Sequence, residues 1–155
     1  MVIINTGYEA LISGVLATVL AQIIKFFVFT ISTRKINFKI LTTTGGMPSS
    51  HSAGVIAMST TVGLIEGFDS LLFAVALGFS LVVMYDATGI RRAAGKTAAC
   101  LNKIMEDFYK HSIQSLGGKL KELLGHTPLE VIIGGIFGAL FAYGLHLYLI
   151  GQTIA

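Results

Sequence analysis

The sequence is poor in charge. Only 12% of its 155 residues are Asp, Glu, Lys or Arg, against roughly 25% in a soluble globular domain. Together with 54% hydrophobic residues and a mean hydropathy of +0.79, that shortage excludes a water-soluble fold and predicts one integral membrane domain over 1–155. Cysteine is nearly missing: Cys100 stands alone, which rules out an intramolecular disulfide and the repeated Cys/His spacing of a zinc site. No Lys or Arg precedes the first apolar run. The basic n-region of a cleavable signal is therefore absent, and the first helix is expected to remain in the mature protein. Low-complexity tracts and internal repeats are also lacking.

What the chain does have is long apolar stretches. Segments approaching the roughly 20 residues that cross a bilayer lie at about Tyr8 to Ile31, Ser49 to Glu66, Ser70 to Tyr85 and Pro128 to Ile150. The expected fold is an all-α membrane bundle of about four transmembrane helices, with both termini on one side. The second span is diluted by Ser52, Ser59, Thr60 and Thr61, whose hydroxyls can bond back to the helix or to a neighbour. Between Asp86 and Thr127 the chain turns polar but keeps helical spacing. Ile90, Ala94, Ala98, Leu101 and Met105 approximate one face, and a second stretch from about Asp107 to Leu124 is broken by Gly117-Gly118. Two amphipathic helices at the inner surface are expected, with their lysines facing acidic lipid.

Ten of the eleven Lys and Arg residues fall in two connections: Arg34, Lys35 and Lys39 in the first, and Arg91, Arg92, Lys96, Lys103, Lys110, Lys119 and Lys121 in the last. The positive-inside rule makes both loops cytoplasmic and both termini external, as expected of a cell-membrane protein. Lys25, the eleventh, is expected to snorkel from the first helix towards the interface. Cys100, His111 and His146 show no partner in the sequence and are expected only to pack.

Two strings carry the chemistry. One is Gly45-Gly46-Met47-Pro48-Ser49-Ser50-His51-Ser52-Ala53; the other is His126-Thr127-Pro128-Leu129-Glu130-Val131. Each puts a histidine at the cytoplasmic start of a helix, where backbone N–H groups and the helix dipole favour an anion. The four-span topology brings both to one face, with Asp86, Arg91 and Arg92 after the third helix. A histidine one turn from a carboxylate, facing a second histidine beside clustered cations, is equipment for phosphoryl transfer through a phosphohistidine. Plain structural roles compete. Ser49 or Ser50 would serve as an N-cap, Gly45-Gly46 as a flexible approach, and Thr127-Pro128-Leu129-Glu130 as a capping box with proline at its first helical position. The spacing Gly134-xxx-Gly138-xxx-Ala142 reads as helix packing.

At these residues the chain resembles the type-2 phosphatidic acid phosphatase superfamily, and more closely its small divergent branch related to acid phosphatases and vanadium haloperoxidases. Pro48-Ser49-Ser50-His51 is similar to the superfamily's P-S-G-H motif, with Ser50 in place of glycine. His126-Thr127-Pro128-Leu129-Glu130-Val131-xx-Gly134 is similar to H-x-P-x-D-V-x-x-G, with Glu130 in place of aspartate. The run Tyr85-Asp86-Ala87-Thr88-Gly89-Ile90-Arg91-Arg92-Ala93-Ala94-Gly95 resembles a signature of the divergent branch. The resemblance implies a phosphatase without cofactor or metal. In it His126 attacks phosphorus, Glu130 fixes the tautomer of His126, and His51 protonates the leaving oxygen of a phospholipid or polyprenyl phosphate. Two features depart from the superfamily. Its K-x6-R-P motif is absent, with only Arg34, Lys35 and Lys39 before His51, and the arginine expected six residues before the second histidine is Leu120. Arg91, Arg92 and Lys96 are expected to take over as the phosphate clamp, with Ser49, Ser50 and Lys39 as further ligands and Asp86 and Gly46 in support. The alternative is a non-catalytic anion- or lipid-binding protein, or a transporter-like one. Four helices make a thin wall, so a homodimer is expected in either case.

Overall fold

The computed structural model describes residues 4–42, 45–109 and 125–154, except for the side chains of Lys39, Thr42, Ile90, Arg91, Arg92, 106–109 and Ile154. It is helical: α1 (Gly7–Thr33), α2 (Ser50–Glu66), α3 (Leu71–Thr88), α4 (Ile90–Tyr109) and α5 (Pro128–Ile154), with a short 3-10 helix at Phe38–Thr42. The second amphipathic stretch expected up to Leu124 lies, beyond the end of α4, outside the described residues.

The 27 residues of α1 and of α5 extend about 40 Å each at 1.5 Å per residue, more than a hydrocarbon core of about 30 Å. Among the described residues, three stretches are long and apolar enough to cross a membrane: Gly7–Thr33, α3 continued into α4 (Leu71–Met105), and Pro128–Thr153. The 17 residues of α2 reach only about 26 Å, and α2 packs in the middle against α1, α3 and α5. That position explains its hydroxyls. Ser52, Ser59 and Thr61 are buried; Ser59 Oγ donates to the Ile56 carbonyl at 3.1 Å and Thr61 Oγ1 to the Ala57 carbonyl at 3.0 Å. From α3, Ser80 Oγ donates to the Val55 carbonyl at 2.9 Å. Neighbouring helices shield these groups from lipid; the α2 hydroxyls bond back within their own helix, and Ser80 makes the bond across from α3 to α2.

The packing is the reverse of a soluble core. Ala10, Ser13, Gly14, Ala17 and Ala21 form the buried face of α1, and Ala53 and Ala57 of α2 meet Ala142 of α5 in the central cluster. Bulky side chains such as Val15, Leu72, Val75, Ile136 and Leu140 are each more than half exposed, which is stable only where lipid is the solvent. Small residues let helix backbones approach until dispersion and polar contacts replace the missing hydrophobic drive. A Cβ on Gly134 would collide with the Ser49 carbonyl, and one on Gly138 with the Ala53 carbonyl. The Gly134-Gly138-Ala142 spacing is therefore the seam that seats α5 on α2.

On α4 the buried positions are Gly95 and Asn102, with Ala98, Ala99 and Met105 half-buried, while Ala94 and Leu101 are exposed. One expectation is corrected. His146 does not merely pack: its Nδ1 lies 2.6 Å from Oε1 of Glu9. Both residues are buried, and Glu9 Oε2 also accepts from the Asn5 backbone N–H at 2.7 Å. This pair ties the start of α1 to the last turns of α5, at the opposite end of the bundle from the two histidine motifs.

Candidate active site at the junction of four helix ends

The motif segments meet through their backbones. Ser49 N donates to the Glu130 carbonyl at 3.1 Å, and His126 N donates to the Ala87 carbonyl at 3.1 Å. The start of α2, the end of α3 and the start of α5 are thus joined directly. Ser49 is the N-cap of α2; its hydroxyl accepts from Ser52 N at 3.4 Å and from Ser52 Oγ at 3.0 Å. Before it, Gly45 and Gly46 take positive φ of 96° and 86°, so the loop turns tightly onto the end of the bundle.

The capping box also forms. Thr127 N donates to Glu130 Oε2 at 3.1 Å, and Glu130 N donates to Thr127 Oγ1 at 3.4 Å. The same Oε2 lies 3.0 Å from His126 Nδ1. One carboxylate oxygen therefore accepts from the helix start and from the imidazole. With Nδ1 carrying its proton towards Glu130, the lone pair of a neutral His126 ring sits on Nε2. The structural and chemical readings of Glu130 are a single arrangement: the cap fixes the carboxylate, and the carboxylate orients the ring.

His126 is only 2% exposed. The His51 ring, half-buried in the first turn of α2, stands with its centroid 6.1 Å from that of His126, at an interplanar angle of 70°. Reacting atoms in a near-attack arrangement are about 3–3.5 Å apart, so two groups flanking one phosphorus stand about 6–7 Å from each other. His51 also reaches the wall of an apolar cleft. Both α1 and α3 pack on α2 but not on each other, which leaves a cleft of about 350 Å³ lined by His51 and by Leu11, Val15, Val19, Met58 and Val83.

The other expected site residues are placed as follows. Ser49 and Ser50 are buried at the start of α2, Gly46 is half-buried, and Asp86 is half-buried in the last turn of α3. Lys96 is exposed on α4 and takes part in none of the hydrogen bonds that build the junction. The side chains of Arg91, Arg92 and Lys39 lie outside the described residues. Among the described residues no group of three or more His, Cys, Asp or Glu is arranged to hold a metal ion.

Lys25 corrects the snorkelling expectation. It is 2% exposed, and its aliphatic chain lies under Gly46. The Gly45-Gly46 turn folds over the lysine and encloses it in protein. The signal available in the sequence was an ionisable residue inside a span, which is functional by default. What was missing was any indication that the loop after α1 returns about three turns down the helix. That return is visible where Gln22 Nε2 donates to the Leu41 carbonyl at 2.7 Å.

The model of the Divergent PAP2 family matches residues 7–141. The chain belongs to that family. It is also 46% identical over 140 residues to YuiD of Bacillus subtilis (strain 168), an uncharacterized membrane protein, covering 84% of this chain and 89% of that one. No solved structure matches. The matched residues cover both histidine motifs and the two glycines of the seam, Gly134 and Gly138, and the relative extends the membrane assignment without adding an activity.

Proposed function

We propose that this divergent PAP2 protein is a membrane phosphatase that hydrolyses a lipid phosphate monoester or diphosphate through a phosphohistidine. His126 Nε2 attacks phosphorus and the bond from phosphorus to the leaving oxygen breaks. His51 gives its proton to that oxygen. Water, deprotonated by His51, then attacks the phosphohistidine, releasing inorganic phosphate and restoring both imidazoles. Glu130 holds His126 in the Nε2-nucleophilic tautomer and balances the cation that forms. The observation that carries this reading is one junction holding a Glu130-bound His126 with His51 6.1 Å away. An imidazole titrates near pH 6.5, so the neutral nucleophile and the protonated acid are both accessible near neutrality.

The apolar cleft that ends at His51 supports a lipid substrate, with an acyl or polyprenyl chain along α1, α2 and α3 and the phosphate at the junction. The concentration of Lys and Arg in the first and last connections supports a cytoplasmic site, external termini and the cell membrane. Purified protein in detergent should release phosphate from phosphatidate, phosphatidylglycerol phosphate or undecaprenyl phosphate, and His126→Ala should abolish release. Acid-labile phosphate trapped on His126 tests chemistry and nucleophile together.

The absence of K-x6-R-P, and Leu120 where the superfamily has arginine, favour a second reading in which the junction binds a phosphate headgroup without turnover. Phosphate release that is nil across those lipids, with headgroup binding intact, selects it.

A further inference from the structure

We propose that the phosphate clamp of this chain is Lys25, delivered from inside the first membrane helix, and that its ammonium holds the phosphoryl oxygens beside His126. The inference deepens the phosphatase reading and rests on it. Lys25 and Glu9 are the buried formal charges among the described residues. Glu9 has His146 at 2.6 Å; Lys25 sits at the other end, where both histidine motifs converge. A Cβ built on Gly46 would stand 3.4 Å from Lys25 Cδ and 3.9 Å from Cε, so the turn before the Pro48-Ser49-Ser50-His51 motif lies directly on the lysine stem. The same loop runs on to Ser49, whose backbone N–H bonds to the Glu130 carbonyl; Glu130 touches His126, which faces His51. The lysine stem, the carboxylate and the two imidazoles are thereby linked, contact by contact, around one end of the bundle.

Charge balance favours an anion as the missing member. Removing an ammonium from water is costly. Glu130 offsets that cost only in part, because its Oε2 already accepts from His126 and from Thr127 N. A phosphate monoester brings close to two negative charges and several acceptor oxygens to an ammonium with three donors. The start of α2 adds its dipole. Lys25 lies eight residues before the end of α1 at Thr33, about 12 Å along the axis. A clamp at that depth selects phosphates that enter from the bilayer, in line with the cleft at His51.

The test is direct binding of inorganic phosphate to full-length protein in detergent, followed by ³¹P NMR, for the wild type, Lys25→Met and Lys25→Arg. Phosphatidate hydrolysis is measured in parallel. Lys25→Met should weaken phosphate affinity by about tenfold to a hundredfold, the range for losing one charged hydrogen-bond partner, and Lys25→Arg should recover most of it. Unchanged phosphate affinity in Lys25→Met overturns the clamp while leaving the phosphatase reading intact. So does lost hydrolysis with intact binding, which would make Lys25 a positioning residue for Glu130. A wild type that neither binds nor releases phosphate overturns both. Should Lys25→Met fail to fold, ¹⁵N-lysine labelling of the wild type decides: the ammonium resonance assigned through Lys25→Arg must shift on phosphate addition, and a static resonance refutes the proposal.

Discussion

Replacing Glu130 with Gln separates its two roles. The amide keeps the size of the side chain and an oxygen that accepts from Thr127 N, so the capping box survives. It removes the negative charge 3.0 Å from His126 Nδ1. A hydrogen bond to a charged partner contributes about 1.5–3 kcal/mol, and about 1.36 kcal/mol is tenfold in rate, which sets a floor of roughly ten- to a hundredfold. If the amide presents its NH₂ to the ring and inverts the tautomer, the loss rises towards about 10⁴, as for the orienting carboxylate of a serine protease triad. Expected, then, is a fall in kcat/KM of about 10 to 10⁴ for phosphate release from phosphatidate in mixed micelles. The unfolding midpoint should stay close to wild type. Glu130→Ala should lose the activity and, in addition, about 1 kcal/mol of stability through the broken cap. A folded Glu130→Gln protein that hydrolyses within about threefold of wild type, about 0.65 kcal/mol in barrier terms, would refute the account of the His126–Glu130 pair.

Four further outcomes are expected. Gly138→Ala drives a methyl into the Ala53 carbonyl and should cost about 1–3 kcal/mol of stability; an unchanged denaturation midpoint in detergent would contradict the seam between α2 and α5. Glu9→Ala should destabilise the bundle by removing the partner of buried His146, with a coupling energy near 0.6–1.7 kcal/mol in a double-mutant cycle with His146→Ala, while turnover per folded molecule is unaffected; additive effects would show that the pair does not interact. Val15→Trp fills the cleft beside His51 and should lower kcat/KM for a long-chain phosphatidate at least fivefold more than for a short-chain one, and equal losses would detach the cleft from the substrate. Reporter fusions at the C-terminus should be active with an exported phosphatase and silent with a cytoplasmic fluorophore; the reverse pattern would invert the proposed orientation.

Much of this protein is written locally. Low charge, four apolar stretches and the clustering of Lys and Arg specify a helical membrane protein, because a bilayer forces backbone polar groups to be satisfied within each segment. The capping box at Thr127 to Glu130 and the glycine seam of α5 were legible for the same reason: each depends on residues three or four apart on one helix. Local spacing did not reveal that Glu9 and His146, 137 positions apart, meet at 2.6 Å, or that the Gly45-Gly46 turn closes over Lys25. Those contacts exist only when helices distant in the chain are brought side by side. A charge in a span announces that it needs a partner or a path to water, and only the tertiary structure decides which.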